Sequence, residues 1–489
     1  MHVSDTMSYR GVTQSHSLGT KVQETSKNSS PLSISPEQFQ LLANRVTALA
    51  TAFLRDLDSL PTFPKTSGTE TAELFGGDVP ETGIGESSFD ALPDVLKHSR
   101  PPSPRFYGYV LGSGDPIGAI ADMLASVLNQ NVTAWRSGPA SVTIERTVVR
   151  WLAEAMGCSE FTGVLTGGGS SANLMGLTMA REAKLACNED GAKPAIVYAS
   201  TEVHMSMPKA VAMIGLGRNN VRYIPVDANF RMDVDALRKA VTEDRKAGKK
   251  AIAVVANGGT VNTGAIDDLQ GIAEIAREND LWFHIDGAYG ALAALAAPEK
   301  FKGINLADSL SLDPHKWLYQ PLDCGLLLYR DAGIARKTFA YSGDYTKVLN
   351  TDPLEGYAFF EESIELSRRF RALKLWLSLR YHGMSAFRQA IAEDLRHAQL
   401  VAELIRKEPR LELLAEPELS AVCFRWRNGS DDFNQKLMKR IVQRGRVFLS
   451  NATIHGQFAL RVCFVNHRTT DADVHAIIEE SVAAAAEIS

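Results

Sequence analysis

The chain has 489 residues, 45% of them hydrophobic and 22% charged, with a formal net charge of −5. That size and composition suit a globular protein of more than one domain, and the acidic balance offers no footprint for nucleic acid or an anionic membrane surface. Five cysteines (Cys158, Cys187, Cys324, Cys423, Cys463) are scattered without C-x-x-C spacing, against a disulfide framework or a metal site, and no apolar run approaches the ~18 residues of a membrane span.

Residues 1–34 are rich in Ser and Thr and poor in apolar side chains. They read as a disordered tail without the apolar stretch of a secretory signal, and with the cysteine usage this predicts a cytoplasmic protein. The run SPEQFQLLANRVTALATAFLRDL then has helical apolar spacing, with Ser35 as N-cap and Pro36 at the first helical position. It opens an N-terminal helical segment, residues 35–110, in which PTFPKTSGTETAELFGGDVPETGIGES reads as turns crossing a surface. After Tyr109 comes a helix of small residues, DPIGAIADMLASVLNQ.

Within residues 111–380 helices alternate with short β-branched runs. AIVYAS, VRYIPVD, AIAVVAN, LWFHID and SLSLD read as buried strands, and ANLMGLTMAREAKLA, DVDALRKAVTEDRKAG and DLQGIAEIAREN as the helices between them. This alternation predicts a mostly parallel sheet covered on both faces, which binds ligands beyond the carboxyl ends of its strands. LSRRFRALKLWLSLRYHG reads as one long helix leading into residues 381–489, a smaller α+β domain with strands at AVCFRWR and FALRVCFVN and a last helix capped near Thr470.

Four features fall where such a sheet places a ligand. VLTGGGSSANLMGL turns from strand to helix through Gly167, Gly168 and Gly169, and the free N–H groups at the helix start suit a phosphate. Asp286 ends the strand WFHID, His204 lies at a strand-to-helix junction, and Lys316 follows His315 between two apolar runs in SLSLDPHKWLYQPLDCG. Each alone has an ordinary explanation: a tight turn, a helix cap, a structural histidine, a lysine reaching from a strand end to solvent. Together they are the parts that hold pyridoxal phosphate: a phosphate cradle, a carboxylate for the ring nitrogen, an imidazole to stack on the ring and an amine for the aldehyde.

In SPRFYGYV, GPASVTIE, TGGGSSANL, HIDGAYG, ADSLSLDPHKWL and RRFRALKLW the chain resembles the pyridoxal-phosphate-dependent amino-acid decarboxylases, the group with the aromatic-L-amino-acid, tyrosine, histidine and glutamate enzymes. The resemblance covers roughly residues 100–380. It implies the aspartate aminotransferase-like fold (fold type I), with a mostly parallel seven-stranded sheet and a small C-terminal α+β domain. It also implies a homodimer with shared active sites, the N-terminal segment packing on the partner.

Carried across residue by residue, it makes Lys316 the amine that bonds to the cofactor, Asp286 the partner of the pyridine nitrogen and His204 the stacked imidazole. Gly169, Ser170 and Asp313 fall at phosphate-contacting positions, although close relatives carry asparagine at 313 and an aspartate there suits orienting Lys316 or His315 instead. His315 neighbours cofactor and substrate, Asn257 reaches the ring hydroxyl or phosphate side, and Ala288 lies under the ring. Tyr345 follows Lys316 by 29 residues (345 − 316), matching a mobile-loop tyrosine that delivers a proton from the neighbouring subunit. Relatives with phenylalanine there consume oxygen and release aldehyde, ammonia and peroxide.

Tyr109, Asn131, Thr133 and Ser367 match substrate-pocket positions. Asn131 and Thr133 replace apolar and aromatic residues, whereas Ser367 tilts toward a phenolic substrate. The reading is decarboxylation of an aromatic L-amino acid to amine and CO2. An acidic or basic aliphatic substrate, an aldehyde synthase and a catalytically silent binding protein are the alternatives.

Overall fold

The structure, a computed structural model, describes residues 30–341 and 352–488. These fall into two compact units, one within Met1–Arg55 and Pro80–Pro93, the other within Asp56–Val79 and Asp94–Ser489. In the first, the helix Pro36–Asp56 begins at the expected cap. Ser35 Oγ accepts from Gln38 N and Gln38 Oε1 accepts from Ser35 N, each at 3.1 Å, a reciprocal capping box.

The second unit carries a seven-stranded sheet: β1 (Thr162–Thr166), β2 (Ile196–Ser200), β3 (Val221–Ile224), β4 (Ala251–Asn257), β5 (Trp282–Asp286), β6 (Ser309–Leu312) and β7 (Gly325–Tyr329). Their spatial order is β1-β7-β6-β5-β4-β2-β3. Pairing is parallel from β6 through β3, and β7 is antiparallel to both of its neighbours. Strands sandwiched between helices are wet on neither face, which is why they read as continuous apolar runs rather than alternating ones. Register sets Asn257 beside Asp286 and Asp286 beside Ser311, so three polar residues line up at the carboxyl ends of β4, β5 and β6.

The smaller sheet is antiparallel: β8 (Leu411–Leu413), β9 (Ala421–Trp426), β10 (Ser450–Ile454) and β11 (Gln457–Cys463), in the order β10-β11-β9-β8. Val401, Phe424, Leu437, Val462 and Ile477 join it to the C-terminal helices in one buried cluster.

Two sequence expectations fail locally. The supposed turn region contains a helix, Gly68–Phe75, capped by Ser67 Oγ accepting from Glu70 N. The long helix expected from Leu366 begins only at Ala372. Residues before it stay out of the helix because Arg368 N donates to Asn131 Oδ1 and Val132 N donates to Arg368 O. The Arg368 guanidinium, fully buried, pairs with Glu145 and donates to Val132 O and Leu165 O, as a buried charge must.

Among the described residues no helix is long and apolar enough to cross a membrane, and no group of three or more His, Cys, Asp or Glu side chains is placed to hold a metal.

Candidate active site

A cavity of about 570 Å³ opens at the carboxyl ends of the central strands. Of the residues singled out from sequence, it collects Lys316, Asp286, His204, Gly169, Ser170, Asn257, Ala288, Asp313, His315 and Tyr109 along its wall. Asn131, Thr133 and Ser367 do not line it. Asn131 is committed to Arg368 N, Thr133 O accepts from Phe360 N, and Ser367 faces outward; within one chain they are not pocket residues. Tyr345 lies outside the described residues.

The turn after β1 leaves little room. A Cβ on Gly169 would lie 2.5 Å from Ala288 Cβ and 3.0 Å from Asp313 Oδ2, so any side chain there would fill the space at the start of the helix Gly169–Leu185. Gly168 has φ +146, a conformation that favours glycine. The helix therefore meets the cavity with bare backbone and the hydroxyls of Ser170 and Ser171.

Lys316 follows β6 on a single helical turn, Pro314–Trp317. Its Nζ lies 2.9 Å from Asp313 Oδ2, and His315 Nε2 lies 3.5 Å from the same oxygen. Asp313 Oδ1 is buried without a hydrogen-bond partner among the described residues. His315 Nδ1 donates to Cys324 O at 2.8 Å, and burial pushes its pKa down while the Asp313 carboxylate pulls it up.

Asp286 is 7% exposed. Burial raises its carboxyl above the ordinary range, while His204 and Lys316 pull it back. Oδ2 accepts from Asn173 Nδ2 at 3.0 Å, and Oδ1 from Ser311 Oγ at 3.2 Å and Ala288 N at 3.3 Å. His204 Nδ1 accepts from Ser206 N at 3.2 Å and lies 2.9 Å from Ser206 Oγ. Asn257 Nδ2 donates to Ser200 Oγ at 2.9 Å and Asp267 Oδ2 at 3.1 Å. Asp267, raised by burial to about 6, also accepts from Asn257 N at 2.7 Å.

Sequence reasoning missed Arg461. This guanidinium, 3% exposed, lines the cavity from β11 of the smaller sheet. It donates to Asn262 O and Tyr109 O, each at 3.2 Å, and its Nη2 has no hydrogen-bond partner among the described residues. A buried cation without an acidic partner is a candidate for a ligand's carboxylate or phosphate. An arginine inside the apolar run FALRVCFVN was the available signal. Tyr109, half exposed, has φ +61, a left-handed backbone uncommon for a non-glycine residue and of a kind that concentrates at functional sites.

Residues 89–427 match the family described as pyridoxal-dependent decarboxylase conserved domain. An aromatic-L-amino-acid decarboxylase of Bacillus atrophaeus is 39% identical over 396 residues, which is 79% of this chain and 82% of that protein. A phenylacetaldehyde synthase of Petunia hybrida is 30% identical over 385 residues, 73% of this chain and 76% of that one. The crystal structure of Oryza sativa TDC with PLP and tryptamine superposes with a TM-score of 0.88 at 25% identity, covering 94% of this chain and all of the other.

Proposed function

Because the chain belongs to the pyridoxal-dependent decarboxylases, carboxy-lyases that use pyridoxal phosphate, we propose that it decarboxylates an aromatic L-amino acid to the amine. The observation that carries this reading is the meeting of Lys316, Asp286 and His204 on one cavity at the strand ends. The aromatic class is supported by the likeness to the Bacillus atrophaeus enzyme.

The residues present fit the cofactor. The glycine turn and the Ser170 hydroxyl line the cavity at the start of the helix Gly169–Leu185, where free backbone N–H groups suit the phosphate. Ala288, His204 and Asn257 line the same cavity and would be the residues to hold the ring, with Asn257 fixed by Asp267 and Ser200. When bound, pyridoxal phosphate supplies an aldehyde for the substrate amine and a protonated ring that accepts the electrons left by CO2.

The protein's part is to hold charges and atoms in place. Lys316 provides the amine that the substrate displaces, and Asp313 keeps that amine at the cavity floor. Asp286 retains the ring proton. Arg461 takes the substrate carboxylate, its unpartnered Nη2 being the free donor.

A homodimer belongs to the same reading. The helix Pro116–Leu128 exposes Ile120, Met123, Leu124, Val127 and Leu128, and Met205 and Leu322 expose apolar surface at the cavity mouth. Exposed apolar side chains at i, i+3, i+4, i+7 and i+8 along one helix face suit an interface. In this reading Tyr345 of the partner subunit delivers the proton that replaces CO2.

The test is CO2 release by cofactor-loaded protein over aromatic, acidic and basic L-amino acids, with peroxide assayed in parallel and the mass measured by light scattering. The expected result is amine and CO2 from an aromatic substrate, no peroxide, and a mass twice the 53.3 kDa of the chain. Peroxide with CO2 would instead favour the aldehyde-forming reaction suggested by the Petunia hybrida relative. An active monomer would end the role given to Tyr345.

A further inference from the structure

Behind the cavity lies a row of buried polar groups that the proposed chemistry does not use directly. It begins at Trp282 on β5, whose indole Nε1 donates to Ser309 Oγ at 2.8 Å. Ser309 Oγ lies 2.8 Å from His284 Nδ1, and His284 Nε2 lies 3.0 Å from Asn173 Oδ1. The Asn173 amide nitrogen reaches Asp286 Oδ2 at 3.0 Å and Ser206 Oγ at 3.3 Å, and Ser206 Oγ lies 2.9 Å from His204 Nδ1. Ser309 and His284 are wholly buried, and Asn173 nearly so.

With Asp286 ionised, the direction of every bond follows from the two ends. An indole N–H can only donate and an ionised carboxylate can only accept. Ser309 Oγ takes the indole proton's bond and turns its own hydrogen to His284 Nδ1. The imidazole, which burial keeps neutral with a pKa near 3, therefore carries its proton on Nε2 and donates it to Asn173 Oδ1. That orients the amide with its nitrogen toward Asp286 and Ser206. Ser206 Oγ in turn donates to His204 Nδ1, which leaves the proton of His204 on Nε2.

We propose that Trp282, Ser309, His284 and Asn173 form a one-way hydrogen-bond chain that holds Asp286 as the ionised acceptor and, through Ser206 Oγ, adds to the backbone donor that already sets the tautomer of His204. A protonated Asp286 would meet obligate donors at both oxygens, from Asn173 on one side and from Ala288 N on the other, and only a reversed Ser311 hydroxyl could accept its hydrogen. The chain thus opposes the upward push of burial. It acts alongside the neighbouring His204 and Lys316, which also favour the carboxylate, and against Asp313, which does not.

The fold leaves the relay no freedom. A Cβ on Gly176, in the helix Gly169–Leu185, would lie 2.8 Å from both His284 Nδ1 and Cε1 and 3.2 Å from Ser309 Oγ. The helix therefore passes over the imidazole with a bare glycine and clamps it between Ser309 and Asn173. These four are positioning residues, acting on the cofactor only through Asp286 and His204.

The inference rests on the proposed role of Asp286, and wild-type protein loaded with pyridoxal phosphate is the control. The variants are His284→Leu, which removes both ring nitrogens, and His284→Gln, which keeps one acceptor and one donor. The readouts are the pH midpoint of the visible absorbance and the separate values of kcat and KM. For His284→Leu the midpoint should move by about one pH unit, with kcat falling about tenfold and KM within about threefold. For His284→Gln both should return to within about threefold of wild type. Ser309→Ala, which removes one hydroxyl and little volume, should shift the midpoint in the same direction by less, and it carries the measurement if His284→Leu does not fold. An unshifted midpoint in His284→Leu or Ser309→Ala, or Gln and Leu variants that behave alike, would overturn the relay. Wild-type protein without a visible band would overturn the reading of Asp286 and the relay with it.

Discussion

Lys316→Ala is expected to abolish CO2 release and to remove the visible absorbance of the cofactor-loaded protein, a loss of about 10⁴-fold or more, roughly 5 kcal/mol of barrier. The alanine variant has one side effect that must be separated. Lys316 Nζ is 2.9 Å from Asp313, and Asp313 is 3% exposed. Removing the ammonium leaves a buried carboxylate with only His315 Nε2 nearby, at 3.5 Å, and stranding a buried charge is itself costly. Lys316→Arg resolves this. A guanidinium keeps the charge beside Asp313 but stays protonated and is no nucleophile for an aldehyde. Lys316→Arg should therefore hold the thermal midpoint of wild type more closely than Lys316→Ala and be equally inactive. Turnover by either variant within about tenfold of wild type would remove Lys316 from the chemistry.

That Lys316, Asp286 and His204 were legible in the sequence is a matter of strand ends. Each closes or follows a β-branched run, and in a parallel sheet all such ends converge on one edge. The order of the parts along the chain did the rest. What lay outside sequence reasoning depends on contacts made only by folding. Asn173 meets Asp286 across 113 positions and His284 across 111, and no local pattern marks an asparagine inside ANLMGL as their link. His284 could have been suspected, because a histidine inside the buried run LWFHID must find hydrogen-bond partners. Arg461 carried the same kind of signal in FALRVCFVN. The helix expected from Leu366 failed because the Asn131 side-chain oxygen and the Val132 N–H engage the backbone of Arg368, which outweighs local helical propensity there. The helix Gly68–Phe75 was missed although Ser67 and Glu70 have the spacing of a capping box; the glycines and prolines around it read as turn alone. Asn131, Thr133 and Ser367 came from resemblance rather than from residue chemistry, and a single chain does not bring them to the cavity.

Asp286→Asn is expected to lower kcat by about 10² to 10⁴, some 3–5 kcal/mol of barrier, while the protein still binds the cofactor through the turn at Gly167–Gly169 and through Lys316. The substitution is nearly isosteric, so the loss isolates charge from shape. A carboxylate stabilises a proton on a ring nitrogen; a neutral amide does not, and the electrons released with CO2 then have a poorer acceptor. The hydrogen bonds sharpen the effect. Both oxygens of Asp286 receive donors, so an amide must turn its NH2 toward Asn173 or toward Ser311 and Ala288, and leaves a buried donor without an acceptor in either case. The pH profile gives the same residue a second signature. Burial raises the carboxyl above the ordinary carboxylate range, with His204 and Lys316 drawing it back. Protonation removes the charge, so kcat/KM should fall as pH falls through that raised range, and it should do so at higher pH than for an exposed aspartate. Asp286→Asn, already neutral, should be slow at every pH and should lose that acid limb. A variant within about threefold of wild type, or one that is slow yet keeps the same acid limb, would assign the limb and the chemistry to a different group on the cavity.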